Sequence, residues 1–124
     1  MNKSTLPVTD SSFEQDVIQS TRPVLVYFWA EWCEECQPMS QTVDVVASEK
    51  SERLKTVILD VDANPQIAML HCIQTVPTLI LFIFGQERQR IEGLTNKTHL
   101  SSTIDMHISL NPEPEIQDET LSEN

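Results

Sequence analysis

Two cysteines stand two residues apart in Trp32-Cys33-Glu34-Glu35-Cys36, directly after the apolar run Val24-Leu25-Val26-Tyr27-Phe28-Trp29-Ala30. Cysteines at that spacing can close a small disulfide and open it again. Where a buried strand hands such a pair to a helix start, unpaired amides and the helix dipole favour the thiolate of the first sulfur, here Cys33. Cys36 lies a turn further in and is expected to be more buried and less ionised. That asymmetry sets an order of attack, and the pattern reads as a thiol–disulfide exchange site. The same spacing also serves as half of a metal site, and His71-Cys72 would complete four zinc ligands. The fold is expected to separate the two pairs, so no metal and no bound cofactor are expected. Cys72 is read as a small core or loop residue, redox-sensitive if exposed, and His99 and His107 as helix-surface residues. No Gly-rich phosphate loop, HExxH helix or GxSxG elbow is present.

The elements that must position the cysteines follow from periodicity and punctuation. Leu6-Pro7-Val8 reads as a short opening strand. Thr9-Asp10-Ser11-Ser12 supplies helix caps, with Glu14 at a capping-box position, ahead of a helix to about Thr21 with Phe13, Val17 and Ile18 inward. The apolar strand 24–30 comes next, then a helix starting close to Cys33 with Met39, Val43, Val46 and Ala47 inward. Pro38 lies early in it, where it costs least. A strand Leu54–Val61, a short helix from Asn64-Pro65 to Leu70 and an apolar strand after Val76-Pro77-Thr78 complete the centre. Gly85-Gln86 predicts a tight turn into a polar edge strand Arg88–Ile91, ended by Gly93. A last helix runs from Asn96 or Thr98 to Leu110, with Leu100, Ile104 and Ile108 inward. The order β-α-β-α-β-α-β-β-α predicts an α/β fold: a mixed central sheet of four to five strands with helices on both faces. Strands joined through helices are expected to be parallel, and the Gly85 hairpin antiparallel.

The length of 124 residues fits one domain, assigned to 1–110. Residues 111–124 carry five acids and no base, and predict a disordered acidic tail. The net charge of −11 argues against nucleic acid and anionic membranes as partners. No apolar run approaches the ~20 residues of a membrane-spanning helix. Nothing near Met1 reads as a signal peptide, so a cytoplasmic protein is expected, where a structural disulfide framework is unexpected.

The residues Phe28-Trp29-Ala30-Glu31-Trp32-Cys33 with Cys36, then Asp60-Val61-Asp62-Ala63-Asn64-Pro65, Val76-Pro77-Thr78, Gly85 and Gly93, resemble the thioredoxin family over about residues 6–110. The resemblance implies the thioredoxin fold and a protein-disulfide reductase contributing to cell redox homeostasis. In it Cys33 attacks and Cys36 resolves the mixed disulfide. Pro77 is cis beside the pair, and Val76 offers its backbone to an extended substrate segment. Trp32, Val76, Gly93 and Leu94 line an apolar rim that substrates touch. The implied partners are disulfide-containing proteins and a reductase that supplies electrons, with the chain itself a monomer.

The chain departs from the family at two places. Glu34-Glu35 replaces the usual Gly-Pro. At ~6–8 Å each carboxylate opposes the thiolate by roughly 0.5–1.5 kcal/mol, up to about one pKa unit. A less acidic Cys33 and a rather reducing couple are therefore expected. Tyr27 stands where many thioredoxins keep an acid beneath the second cysteine, and Ile58 where they carry a lysine. Tyr27, with an ordinary pKa of about 10, is a poor base near pH 7 and reads first as core filling. Slow release of mixed disulfides is expected, with water or Glu35 as other routes for the proton. These departures keep open a second reading, a thioredoxin-fold module that grips a partner through the Trp32, Val76, Pro77 and Gly93 rim with marginal turnover.

Overall fold

Every residue of β2 (Val24–Trp29) is apolar because both faces of that strand are covered. The computed structural model describes residues 4–111, so the expected acidic tail lies, but for Asn111, outside the described residues. Side chains alternate between the faces of a strand. Leu25 and Tyr27 therefore join Leu79, Leu81 and Ile83 of β4 (Thr78–Ile83) beneath α1 (Cys36–Glu49) and α3 (Lys97–Leu110). Val24, Val26 and Phe28 pack on the other face with Val57 and Leu59 of β3 (Lys55–Asp60). That face is covered by Phe13 and Val17, around a short π-helical segment Glu14–Ile18, and by Ile67 of α2 (Pro65–Leu70).

Five strands run in the order β1-β3-β2-β4-β5, with β1 (Thr5–Pro7) and β5 (Gln86–Glu92) at the edges. The expected mixed sheet with helices on both faces is present. β1, β3 and β2 are mutually parallel, whereas β4 is antiparallel to β2. This corrects the expectation that strands joined through helices are parallel. A parallel return must travel back ~20 Å, the length of a six-residue strand. The short α2 covers only ~9 Å, and the segment after it is held by Arg90 of β5, which donates to the His71 and Cys72 carbonyls, so the chain re-enters the sheet at the end it left. The start of β4 is thereby brought beside the end of β2.

The loop after β1 is also wired differently from the expected Glu14 box. Thr9 N–H donates to Ser12 Oγ at 2.9 Å and Ser12 N–H to Thr9 Oγ1 at 3.2 Å, a reciprocal cap two residues earlier. The Asp10 carboxylate serves a distant helix instead, accepting from the amides of Gln66 and Ile67 at the start of α2. Asn96 caps α3 by accepting from His99 N–H at 2.8 Å. The β4–β5 turn uses Phe84 and Gly85, both at positive φ, one residue earlier than expected. Gly85 is required there: at φ 76° an added Cβ would stand 2.6 Å from the Ile18 carbonyl oxygen.

Candidate active site

The C-terminal end of β2 runs through Ala30 into the loop that carries Cys33. Cys33 N–H donates to the Ala30 carbonyl at 3.2 Å, and Cys36 N–H to the Cys33 carbonyl at 3.2 Å. Helix α1 begins at Cys36, so the expected start near Cys33 is a turn leading into the helix rather than its first residue. Cys33 and Cys36 are joined by a disulfide, with their Cα atoms 5.3 Å apart. Cys36 N–H also donates to Cys33 Sγ at 3.1 Å. A helix-start amide aimed at that sulfur stabilises negative charge on it once the disulfide opens. Both cysteines are buried in this state, 5 % and 3 % exposed, so the expected difference in burial is slight. What distinguishes them is the amide on Cys33.

Val76-Pro77 is a cis peptide, and Pro77 is buried. Val76 packs on the cluster formed by Ala30, Cys33 and Cys36, together with Trp29 and Val61. Gly93, at φ 90°, donates its N–H to the Pro77 carbonyl at 2.8 Å and so lies against the cis-proline loop. Trp32 is 68 % exposed and Leu94 is exposed as well, and a shallow groove runs between Trp32, Ile73, Thr75 and Val76. The antiparallel return of β4 thus brings the rim residues expected from sequence to one end of the sheet.

Glu34 and Glu35 are both exposed at the head of α1. Tyr27 is buried directly beneath that helix. Its hydroxyl donates to the Cys36 carbonyl at 3.0 Å and shares a 2.9 Å hydrogen bond with Ser40 Oγ. Burial raises the Tyr27 pKa above its ordinary value; the Ser40 bond opposes this and Asp44 adds to it. Tyr27 is paired with Ile58 across β2 and β3, and Ile58 packs on the same core.

Several contributors were not legible in advance. Trp32 Nε1 donates to Asp62 Oδ2 at 2.8 Å, and Asp60 Oδ1 accepts from the amides of Asp62 and Ala63. In sequence, Asp60 and Asp62 stand in the segment Asp60-Val61-Asp62-Ala63-Asn64-Pro65 that resembles the family, but nothing local pairs either with Trp32. Arg90 of β5 forms a two-point ion pair with Glu87 and donates to the carbonyls of His71 and Cys72, anchoring the segment ahead of the cis proline. The same pair lowers the Glu87 pKa, chiefly through the Arg90 hydrogen bond. The His71 ring packs against Phe13 and Phe82, with centroids 5.3 and 5.5 Å away, and burial lowers its pKa. Cys72 is an exposed loop residue at φ 56°. His107, expected on the surface, is half-buried against Gln89 Oε1 at 3.1 Å. Among the described residues no three His, Cys, Asp or Glu side chains converge in a way that could hold a metal ion.

The family model described as Thioredoxin matches residues 4–106. The chain is similar to "Thioredoxin 1" of Synechococcus elongatus, 41% identical over 101 residues, which covers 82% of this chain and 94% of that one. It is 42% identical over 101 residues to "Thioredoxin 1" of Nostoc sp., with the same coverage of 82% and 94%. It is also 44% identical over 96 residues to the "Bifunctional thioredoxin reductase/thioredoxin" of Mycobacterium leprae, covering 77% of this chain and 21% of that one.

Proposed function

The chain belongs to the thioredoxin family, and on that premise we propose how its residues divide the work of a protein dithiol–disulfide oxidoreductase. It reduces protein disulfides through the Cys33–Cys36 pair. Cys33 is the attacking thiolate: it opens a substrate disulfide and forms a mixed disulfide. Cys36 attacks Cys33 Sγ, closes the internal disulfide and releases the second substrate thiol. Trp32, Val76, Pro77 and Gly93 hold the substrate segment, with Glu34, Glu35 and Tyr27 setting the chemistry of the pair. The observation that carries the division of roles is the Cys36 N–H donated to Cys33 Sγ at 3.1 Å.

Family membership brings disulfide-containing proteins as substrates and a thioredoxin reductase as electron donor. The bifunctional M. leprae relative, by its name, joins those two activities in one chain. The proposal extends to a monomer working in the cytoplasm; among the described residues no helix is long and apolar enough to cross a membrane. Light scattering in solution and cell fractionation check those two points.

The test is steady-state reduction of insulin with dithiothreitol as donor and Cys36→Ser as control. Turnover that disappears in the control supports the assignment. Turnover no better than the control favours the second reading, a partner-gripping module, for which the uncharged Tyr27 contact beneath Cys36 speaks.

A further inference from the structure

Resolution requires the Cys36 thiol to lose its proton, yet the residue beneath it is a tyrosine that keeps its own. We propose that Ser40, oriented by Tyr27, is a positioning residue that holds a water molecule against Cys36 to receive this proton. The inference rests on Cys36 being the resolving thiol.

A count of protons gives Ser40 its role. Tyr27 has one hydroxyl proton, and it is donated to the Cys36 carbonyl at 3.0 Å. The 2.9 Å contact between Tyr27 Oη and Ser40 Oγ must then run from the serine to the tyrosine. A serine within a helix commonly returns its proton to the carbonyl four residues earlier. For Ser40 that carbonyl belongs to Cys36, where Tyr27 already donates. The Ser40 proton is thus committed to Tyr27, and its oxygen can act only as an acceptor for anything else. Ser40 lines an open pocket of about 190 Å³ together with Cys33, Cys36, Glu31 and Gln37, which is ample for water.

A water donating one hydrogen to Ser40 Oγ presents a lone pair to the Cys36 S–H. It takes the thiol proton, releases one of its own to bulk solvent through the pocket mouth, and turns its remaining free hydrogen to the thiolate, a hydrogen bond that favours the charged form. The Cys36 thiolate attacks Cys33 Sγ of the mixed disulfide and forms the Cys33–Cys36 bond. The substrate sulfur leaves with the electron pair of the broken bond and collects a proton from solvent. Over both steps two electrons pass from the dithiol to the substrate disulfide.

The charge-bearing groups that the structure places beside Cys36 include Cys33, Glu34 and Glu35 on its own turn, Glu31 from the preceding loop and Tyr27 from β2. Asp44, further along α1, acts electrostatically on Tyr27. Val76, packed on the pair from the cis-proline loop, carries none. Of the carboxylates, Glu31 lines the same pocket as Ser40, Cys33 and Cys36.

The experiment mixes reduced protein, in a Cys72→Ser background that removes the exposed third thiol, with one equivalent of an aromatic disulfide whose thiolate is coloured. The first phase of colour reports attack by Cys33 and the second reports resolution by Cys36. Ser40→Ala, a favourable helix substitution, is expected to leave the first phase alone. It should raise the pH midpoint of the second by about half to one unit, a slowing of about three- to tenfold at pH 7. Ser40→Thr, which keeps the hydroxyl, restores the wild-type profile, and Tyr27→Phe shifts it as Ser40→Ala does. A Ser40→Ala second phase that overlays wild type across the pH range overturns the proposal, as does equal slowing of both phases. A second phase that survives in Cys36→Ser instead overturns the underlying assignment of Cys36.

Discussion

The indole of Trp32 is tied to Asp62 by a 2.8 Å hydrogen bond across thirty residues of sequence while the residue stays 68 % exposed. An exposed aromatic with one polar handle is pre-set for contact, because its rotamer is fixed before a partner arrives. Asp62 is itself held by Asp60, whose Oδ1 accepts from the Asp62 amide at 2.9 Å.

Asp62→Ala should therefore release the indole without disturbing the sulfurs. The expected result is a KM for protein disulfides raised about two- to tenfold, in line with the net worth of one solvent-exposed hydrogen bond, about 0.5–1.5 kcal/mol. kcat should change little. Steady-state insulin reduction separates the two constants, and a lowered kcat with constant KM would refute the argument.

How much of this was legible depended on whether the signal was local. The CxxC pair, the apolar β2 and β4, and the inward Leu100, Ile104 and Ile108 are local patterns, and each appears as read. Direction and pairing were not local. The antiparallel course of β4 depends on where the segment after α2 is held, by Arg90 from a strand later in the chain, which no periodicity encodes. Asp10 carries the ordinary mark of a cap, yet it caps a helix more than fifty residues away. Phe84 enters the turn at φ 52°, a conformation that propensity gives to other residues. The Tyr27–Ser40 contact needs the distance between a strand and a helix face, so sequence gave Tyr27 a position but no partner.

Gly85→Ala is expected to destabilise the protein by about 1–3 kcal/mol. The backbone there stands at φ 76°, and the added methyl would meet the Ile18 carbonyl oxygen. The turn lies at the opposite end of β4 from Pro77, so specific activity of the folded fraction should be retained. Denaturant unfolding with a parallel insulin assay checks both halves.

His71 supplies a pH dependence with a definite sign. Its folded-state pKa is lowered, first by burial and further by Arg90, against the opposing pull of Glu87. The unfolded chain, with an ordinary imidazole pKa of about 6.5, thus binds the proton more readily. Stability is unaffected by this group well above that pH and falls as pH drops through it, until the folded imidazole also protonates. The Glu87 carboxyl, also lowered, acts in the same direction but in the ordinary carboxylate range below. His71→Phe keeps a ring against Phe13 and Phe82 and removes the titration. Urea midpoints at pH 7.5 and 5.5 should draw together in the variant relative to wild type; an unchanged gap contradicts the assignment.

Glu34→Gln with Glu35→Gln tests the charge at the head of α1. Both side chains are exposed, so salt weakens their effect on Cys33. At low ionic strength the double variant should lower the Cys33 thiol pKa by up to about one unit for each charge removed. A more stable thiolate favours the reduced state, so the couple should become less reducing. Ultraviolet thiolate absorbance against pH and equilibration with glutathione read the two effects, and both should shrink as salt is added. Shifts that persist in high salt would point to a change of helix geometry instead.

Tyr27→Asp asks what the tyrosine replaces. A carboxylate at that position is a far better base than a phenol whose pKa is raised by burial. It also forfeits the hydroxyl that donates to the Cys36 carbonyl, and it buries a charge whose neighbour on β3 is Ile58 rather than a cation. Two opposite effects are expected. Release of the mixed disulfide should accelerate about tenfold or more near neutral pH. The fold should lose several kcal/mol. Single-turnover colour release and denaturant unfolding measure them separately. If release is no faster in the folded variant, proton removal from Cys36 is not what limits the wild-type protein, and the slow step lies in attack by Cys33 or in the fit of the substrate against Val76 and Pro77.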